Sequence, residues 1–230
     1  MKNYIITGCS RGLGLEMVAQ LAKSGCRIYA CARNINTDKL IILKQQYPNL
    51  ITLIPFDIRD KLTTDLFFEY VEKKSFSIDI LINNAGVLLD SEIPVSTKHC
   101  FNAKEMMAVN YFGTINVINF LLPYLEKSPQ PLIINISSIM GSFGTMQHGG
   151  DWGYRASKTA LNMFTKCFAI ENPDIPIVAL HPGHVQTDMG RINPPLTTEA
   201  SVRFMMKTWV SLSKKDSGKF INYDGATLAW

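Results

Sequence analysis

The chain has 230 residues, of which 47% are hydrophobic and 18% charged, enough for one sizeable core in a single α/β domain. Its net charge of +4 arises from 23 basic and 19 acidic residues scattered along the chain, which argues against nucleic acid as a partner and is compatible with a local site for a polyanion. The five cysteines, Cys9, Cys26, Cys31, Cys100 and Cys167, form no CxxC or other metal-ligand spacing, so no metal site is expected and the thiols read as reduced and mostly buried.

Short β-branched runs alternate with longer helical patterns. A strand over Tyr4 to Thr7 enters a glycine turn and then a helix from Leu13 to Lys23, with Leu15, Val18, Ala19 and Ala22 expected on its buried face and Ser24 and Gly25 as its stop. The strand starts too early to leave room for a secretory signal, and no apolar run approaches the roughly 18 residues that span a bilayer, so a cytoplasmic protein without a membrane segment is expected. Next come a strand at Arg27 to Ala32, a helix at Asp38 to Gln46, a strand at Leu50 to Phe56, a helix at Asp60 to Lys74, and a strand at Ile78 to Asn83 apolar enough for burial on both faces. A long helical pattern covers Thr97 to Leu125, followed by a strand at Pro131 to Ser137, a glycine-rich loop, a helix at Tyr154 to Glu171 and a strand at Ile175 to Leu180. A helix at Thr198 to Leu212 and a short strand at Lys219 to Asn222 complete the series. This alternation predicts a doubly wound parallel sheet with helices on both faces, which binds ligands at the carboxyl ends of its strands.

The motifs stand at those ends. Thr7, Gly8, Gly12 and Gly14 write TGxxxGxG at the first strand-to-helix junction, where absent side chains let backbone N–H groups face a pyrophosphate; alone, the same glycines would serve a turn of positive φ. Tyr154 and Lys158 are four apart on a helix and so share a face. A phenol of pKa about 10 is a poor acid or base near neutrality, and a nearby ammonium is expected to lower that value. At the end of the second strand stand Ala32 and Arg33, where an NAD enzyme places an acid against the ribose hydroxyl. With Arg11 in the glycine turn, two guanidiniums suit a 2′-phosphate and point to NADPH.

In chain order, TGxxxGxG, Asp57 after the third strand, NNAG at Asn83 to Gly86, Asn110 three residues before Gly113, SxxG from Ser138, YxxxK from Tyr154, and Pro182 with Gly183 resemble the short-chain dehydrogenases/reductases over essentially the whole length. Within that family, NISSIMGS, YRASKTALN, HPGHVQTDMG and YDGATLAW are most similar to the Sniffer-like carbonyl reductases and the C-factor (C-signal) proteins. The resemblance implies one Rossmann-type domain over residues 1–230 that moves hydride between NADPH/NADP+ and a carbonyl or alcohol. It implies Asn110, Ser138, Tyr154 and Lys158 as the catalytic set: Ser138 holds the substrate oxygen, Tyr154 protonates it, Lys158 also bonds the nicotinamide ribose, and Asn110 places a water between Lys158 and solvent. It carries cofactor contacts onto Gly8, Ser10, Arg11, Gly12, Leu13, Gly14, Arg33, Asp57, Ile58, Asn84, Ala85 and Gly86. Tyr154, Lys158, Pro182, Gly183, Val185 and Thr187 complete that set, with Asp57 on the adenine side. Ser137 points to the other side of its strand and reads as structural.

Fifteen residues separate Ser138 from Tyr154, a loop longer than is usual in the family. It carries Phe143, Met146, His148, Gly149, Gly150 and Trp152 and is expected to shape the substrate wall, with His148 a polar wall or surface residue. His181, Asp188 and Arg191 follow the sixth strand as further wall residues. Val87, Leu88, Leu89, Ile139, Met140, Phe143 and Met189 predict an apolar pocket for a hydrophobic ketone, aldehyde or quinone. Trp230 reads as packing. The alternative is a C-factor-like signalling or regulatory protein that retains the cofactor site, and a homo-oligomer is compatible with either reading.

Overall fold

The computed structural model describes residues 1–89, 100–190 and 193–230, with the backbone only for Cys100 and Phe101. Its elements are β1 (Asn3–Thr7), α1 (Gly12–Lys23), β2 (Arg27–Ala32), α2 (Asp38–Gln46), β3 (Ile51–Pro55), α3 (Lys61–Lys74) and β4 (Ile80–Asn83). Then follow α4 (Cys100–Met107), α5 (Thr114–Leu125), β5 (Leu132–Ile136), α6 (Trp152–Glu171), β6 (Ile177–His181), α7 (Thr198–Ser211) and β7 (Phe220–Asn222). The strands form one parallel sheet in the order β3-β2-β1-β4-β5-β6-β7. The order reverses between β1 and β4, and a crevice opens there at the carboxyl ends.

Because successive strand residues face opposite sides, each apolar strand feeds two cores. Ile6, Ile28, Ile82 and Leu180 pack with Met17, Leu21, Val202 and Trp209 of α1 and α7. Ile5, Leu81, Ile133 and Ile177 pack on the other side with Phe67, Leu121 and Phe168 of α3, α5 and α6. Burying each large side chain on both faces contributes roughly 1.5–3 kcal/mol, which makes the sheet a rigid base for the loops at its ends.

Four expectations change. The buried face of α1 is Gly14, Met17, Val18, Leu21 and Ala22, with Leu15 and Ala19 only half-buried, because the face turned to the sheet is rotated by part of a turn. Among the described cysteines, Cys9 and Cys31 are buried, Cys26 is half-buried and Cys167 on α6 is exposed. The long helical pattern predicted from Thr97, whose first residues lie outside the described residues, is interrupted by a π-helical turn at Ala108–Gly113. Two contacts explain the interruption. The Asn110 side chain bonds outward to Val87 and Ser157, and the missing side chain of Gly113 admits Ile58, whose Cγ1 lies 2.6 Å from where a Cβ would be. Finally, Asn102–Leu125 is 24 residues long and holds an 18-residue window of mean hydropathy 1.2, long and apolar enough for a membrane span by length and composition, contrary to expectation. In this fold its Val117, Ile118, Leu121 and Leu125 are buried against the sheet.

Candidate active site

The turn between β1 and α1 is shaped by close approach. Gly8 has φ +75°, and a side chain there would come within 2.9 Å of Ala85 Cα. At Gly14 a Cβ would lie 2.2 Å from the Gly8 carbonyl oxygen, so only glycine lets the helix start this near the strand. The turn is fastened to the end of β4: the backbone N–H groups of Asn84 and Ala85 donate to Thr7 Oγ1 at 3.1 and 3.0 Å, and Asn84 Nδ2 donates to the carbonyls of Thr7 and Gly8 at 2.9 and 3.1 Å. The result is a side-chain-free floor at the switch point.

Above that floor opens a cleft of about 520 Å³. Gly8, Ser10, Arg11, Gly12 and Leu13 line it from the glycine turn, with Arg33 after β2, Asp57 and Ile58 after β3, Asn84, Ala85 and Gly86 after β4, and Thr187 after β6. Gly14, Pro182, Gly183 and Val185 do not line it. Gly14 serves the helix–strand approach, Val185 is buried, and the Pro182 carbonyl accepts a bond from Ser201 Oγ at 2.6 Å. Gly183, at φ +84°, is hemmed in by Leu196 and Tyr223. These residues shape the loop that brings Thr187 to the cleft. Lys39 and Arg59 also line the cleft, and sequence reading missed both because a long cation on a helix or loop looks like an ordinary solvated charge. Arg11 reaches across the mouth to Asp188 at 2.8 Å, so one of the two expected phosphate guanidiniums is engaged by an exposed carboxylate. Arg191 lies outside the described residues.

The four expected catalytic residues come together at one end of this cleft. Ser138 follows β5 and caps a short 3₁₀ turn (Ile139–Gly141), its Oγ accepting from Met140 N–H at 3.2 Å. Tyr154 and Lys158 project from the first turns of α6, with Lys158 Nζ 5.7 Å from the centre of the Tyr154 ring. Neither lines the cleft, but Lys158 Nζ lies 3.7 Å from the position a Gly86 side chain would take. Lys158 is buried and donates to the Ile136 carbonyl at 2.9 Å. Asn110 is fully buried: its Oδ1 accepts from Val87 N–H at 2.8 Å, and its Nδ2 donates to the Val87 carbonyl and to Ser157 Oγ, both at 2.9 Å. It thus ties the loop after β4 to α6 beside Tyr154.

The titration of this group differs from expectation. Burial pushes the Tyr154 phenol up to about 12, partly held back by a hydrogen bond from Ser138, and burial lowers the Lys158 ammonium to about 8. Desolvation of the phenolate is the largest influence, and the nearby cation gives its bond to a backbone carbonyl instead. At neutral pH Tyr154 therefore carries its proton, which suits a donor. His181, at the end of β6, is held down to about 4 by burial, and its Nδ1 accepts from Ile139 N–H at 3.3 Å, so it props the turn after Ser138. Ser137 donates to Asn162 Oδ1 at 2.6 Å and is structural as expected. Residues 143–150 of the long loop, His148 among them, are exposed, and its start is tied to the chain's last residues by Ser142 Oγ to the Ala229 carbonyl at 2.8 Å. Trp230 stacks on Phe220 and so packs, as read from the sequence.

Comparison with known proteins agrees with this geometry. A family model described as short chain dehydrogenase matches residues 2–195. The structure is similar to carbonyl reductase Sniffer of D. melanogaster, at 32% identity and a TM-score of 0.90, covering 100% of both chains. It is similar also to an NADPH-bound carbonyl reductase from chicken fatty liver, at 30% identity and a TM-score of 0.90, covering 100% of this chain and 99% of that one. C-signal of Myxococcus xanthus is 34% identical over 155 residues, 66% of this chain and 93% of the relative.

Proposed function

The chain belongs to the short-chain dehydrogenase family, and on that premise we propose that it is an NADPH-dependent reductase of hydrophobic ketones, aldehydes or quinones in the cytoplasm. The observation that carries the reading is the meeting of Ser138, a protonated Tyr154 and Lys158 beside a cleft whose floor is bare backbone and whose lining includes Arg11, Arg33 and Lys39. The cleft fits a dinucleotide: any side chain at Gly8 would clash, and the cations suit a 2′-phosphate. The glycine turn from Gly8 to Leu13 would hold the pyrophosphate, Asp57 and Ile58 the adenine, Arg33 with Arg11 the 2′-phosphate, and Asn84 to Gly86, Tyr154, Lys158 and Thr187 the nicotinamide half. When bound, the nicotinamide supplies hydride.

The remaining work falls to the chain's own side chains. Ser138 Oγ donates to the substrate oxygen and stabilises the charge that develops there. Tyr154 Oη gives its proton to the same oxygen. Lys158 keeps a cation near the phenolate that this leaves, and Asn110 holds α6 against the loop after β4 so that Tyr154 keeps its place. Ile139, Met140, Phe143 and Met189 offer apolar surface to the rest of the substrate, with Phe143 74% exposed and so free to meet a ligand. Arg11 is drawn to phosphate in competition with Asp188, an exposed pair of small net worth.

A signalling or regulatory protein that keeps the nucleotide cleft is a second reading, favoured by the likeness to C-signal. Mixing purified protein with NADPH and a panel of apolar ketones and quinones, and following NADPH absorbance, separates the two. Substrate-dependent loss of NADPH is expected; its absence across the panel would leave the second reading standing.

A further inference from the structure

Arg59 lies two residues beyond Asp57, and its guanidinium folds back on that carboxylate. Asp57 Oδ1 accepts from Arg59 backbone N–H at 3.0 Å and from Arg59 Nε at 3.1 Å, and Oδ2 accepts from an Arg59 terminal nitrogen at 2.9 Å. The other terminal nitrogen is held by Glu105 of α4. A carboxylate has about four lone-pair directions. Arg59 fills three of them, leaving one, on Oδ2. Both residues line the cleft. The Arg59 bond is also the largest influence holding the Asp57 carboxyl below its ordinary range, so the open position is a fixed, charged acceptor.

We infer that Arg59 is a specificity-determining positioning residue, which orients Asp57 to accept one N–H from the base of the dinucleotide and so selects a 6-amino purine over a 6-oxo purine. The inference rests on the reading of Asp57 as the adenine contact. Adenine presents a donor at position 6, whereas hypoxanthine presents a carbonyl oxygen that the carboxylate repels. When the Arg59 fork is removed, the backbone N–H of residue 59 still holds Oδ1 but the two guanidinium bonds are gone, so the carboxylate turns about that single bond, its other acceptor sites hydrate, and the preference weakens although Asp57 is still present. Glu105 steadies the guanidinium from the opposite side, so the whole fork is anchored to α4.

The test is calorimetric binding of NADPH and of its hypoxanthine analogue, deamino-NADPH, to the wild type, Arg59→Met, Arg59→Lys and Asp57→Asn. The wild type is expected to prefer NADPH, and Arg59→Met to weaken NADPH by about tenfold while leaving deamino-NADPH within about twofold. Arg59→Lys keeps the charge but not the fork and is expected to behave like Arg59→Met. Wild-type discrimination in either Arg59 variant, with discrimination lost in Asp57→Asn, would overturn the role of Arg59 and leave the adenine contact intact. Equal weakening of both nucleotides by Arg59→Met would reduce Arg59 to a general structural part and also overturn the inference. A wild type without preference, or an Asp57→Asn that keeps it, would remove the adenine reading of Asp57 and the inference with it.

Discussion

Lys158 is a buried ammonium, and the fold is less stable at neutral pH for keeping it. Its pKa falls from 10.5 to about 8, and at about 1.4 kcal/mol for each tenfold change in proton affinity this is a penalty of roughly 3 kcal/mol on the charged form. Between the two values the unfolded chain binds more protons than the folded one, so this residue makes stability rise with pH across that interval. Between pH 7 and pH 9 the gain is on the order of 1 kcal/mol. Lys158→Met removes the titration and also the bond to the Ile136 carbonyl, but the latter loss does not vary with pH. Denaturant unfolding of the ligand-free wild type and variant at pH 7, 8 and 9 isolates the effect, because the buried tyrosines and cysteines titrate alike in both and cancel in the difference. The wild type is expected to gain on the order of 1 kcal/mol on the variant over that range. Parallel stability curves would show that Lys158 is not a desolvated cation and would remove the basis for its role beside Tyr154.

Arg33→Ala is expected to raise the KM for NADPH by about tenfold or more and to leave that for NADH near its starting value, since a charge-assisted contact to phosphate contributes on the order of 1.5–3 kcal/mol. Added salt should shrink the wild-type preference, and a ratio of kcat/KM for the two cofactors that ignores Arg33 would refute the phosphate site. Deleting Gln147, His148 and Gly149 from the exposed loop should change kcat/KM across a series of ketones of increasing size while leaving NADPH affinity near its wild-type value. Unchanged selectivity would show that the loop is no part of the substrate wall. Gly14→Ala must displace the Gly8 carbonyl, 2.2 Å from the new methyl group, and is expected to lower the melting temperature and weaken NADPH together; a variant as stable as the wild type would contradict the close packing of this turn.

The regular elements were legible because their period is local. β2 and α2 fall at the residues read from the sequence, and the doubly wound order follows from alternation alone. The grouping of the proposed catalytic residues was legible as well, through motif spacing: the structure gathers Ser138, Tyr154, Lys158 and Asn110 at one end of the cleft. What the sequence did not disclose depends on distant contacts. The π-helical turn at Ala108–Gly113 follows from Asn110 bonding to residues 23 and 47 positions away. The α1 face is set by how the helix settles on the sheet, and its apolar residues nearly encircle it, so Leu15 was read onto the buried face in place of Leu21. The rise of the Tyr154 pKa depends on how much protein surrounds the phenol, which spacing to Lys158 cannot reveal. Arg59 looked like a solvated loop cation: Asp57 stands only two residues before it, but Glu105, which holds the other side of its guanidinium, is brought to it by α4.

Proton donation by Tyr154 is the step on which the proposed reduction turns, and Tyr154→Phe probes it while keeping the ring. The measurement is turnover of NADPH with an apolar ketone, taken beside calorimetric NADPH binding in the same preparation. Turnover should fall by about 10²- to 10⁴-fold, the usual contribution of a positioned acid, while NADPH affinity stays within about twofold. A phenylalanine variant that turns over at the wild-type rate would contradict the assignment of Tyr154 as the acid.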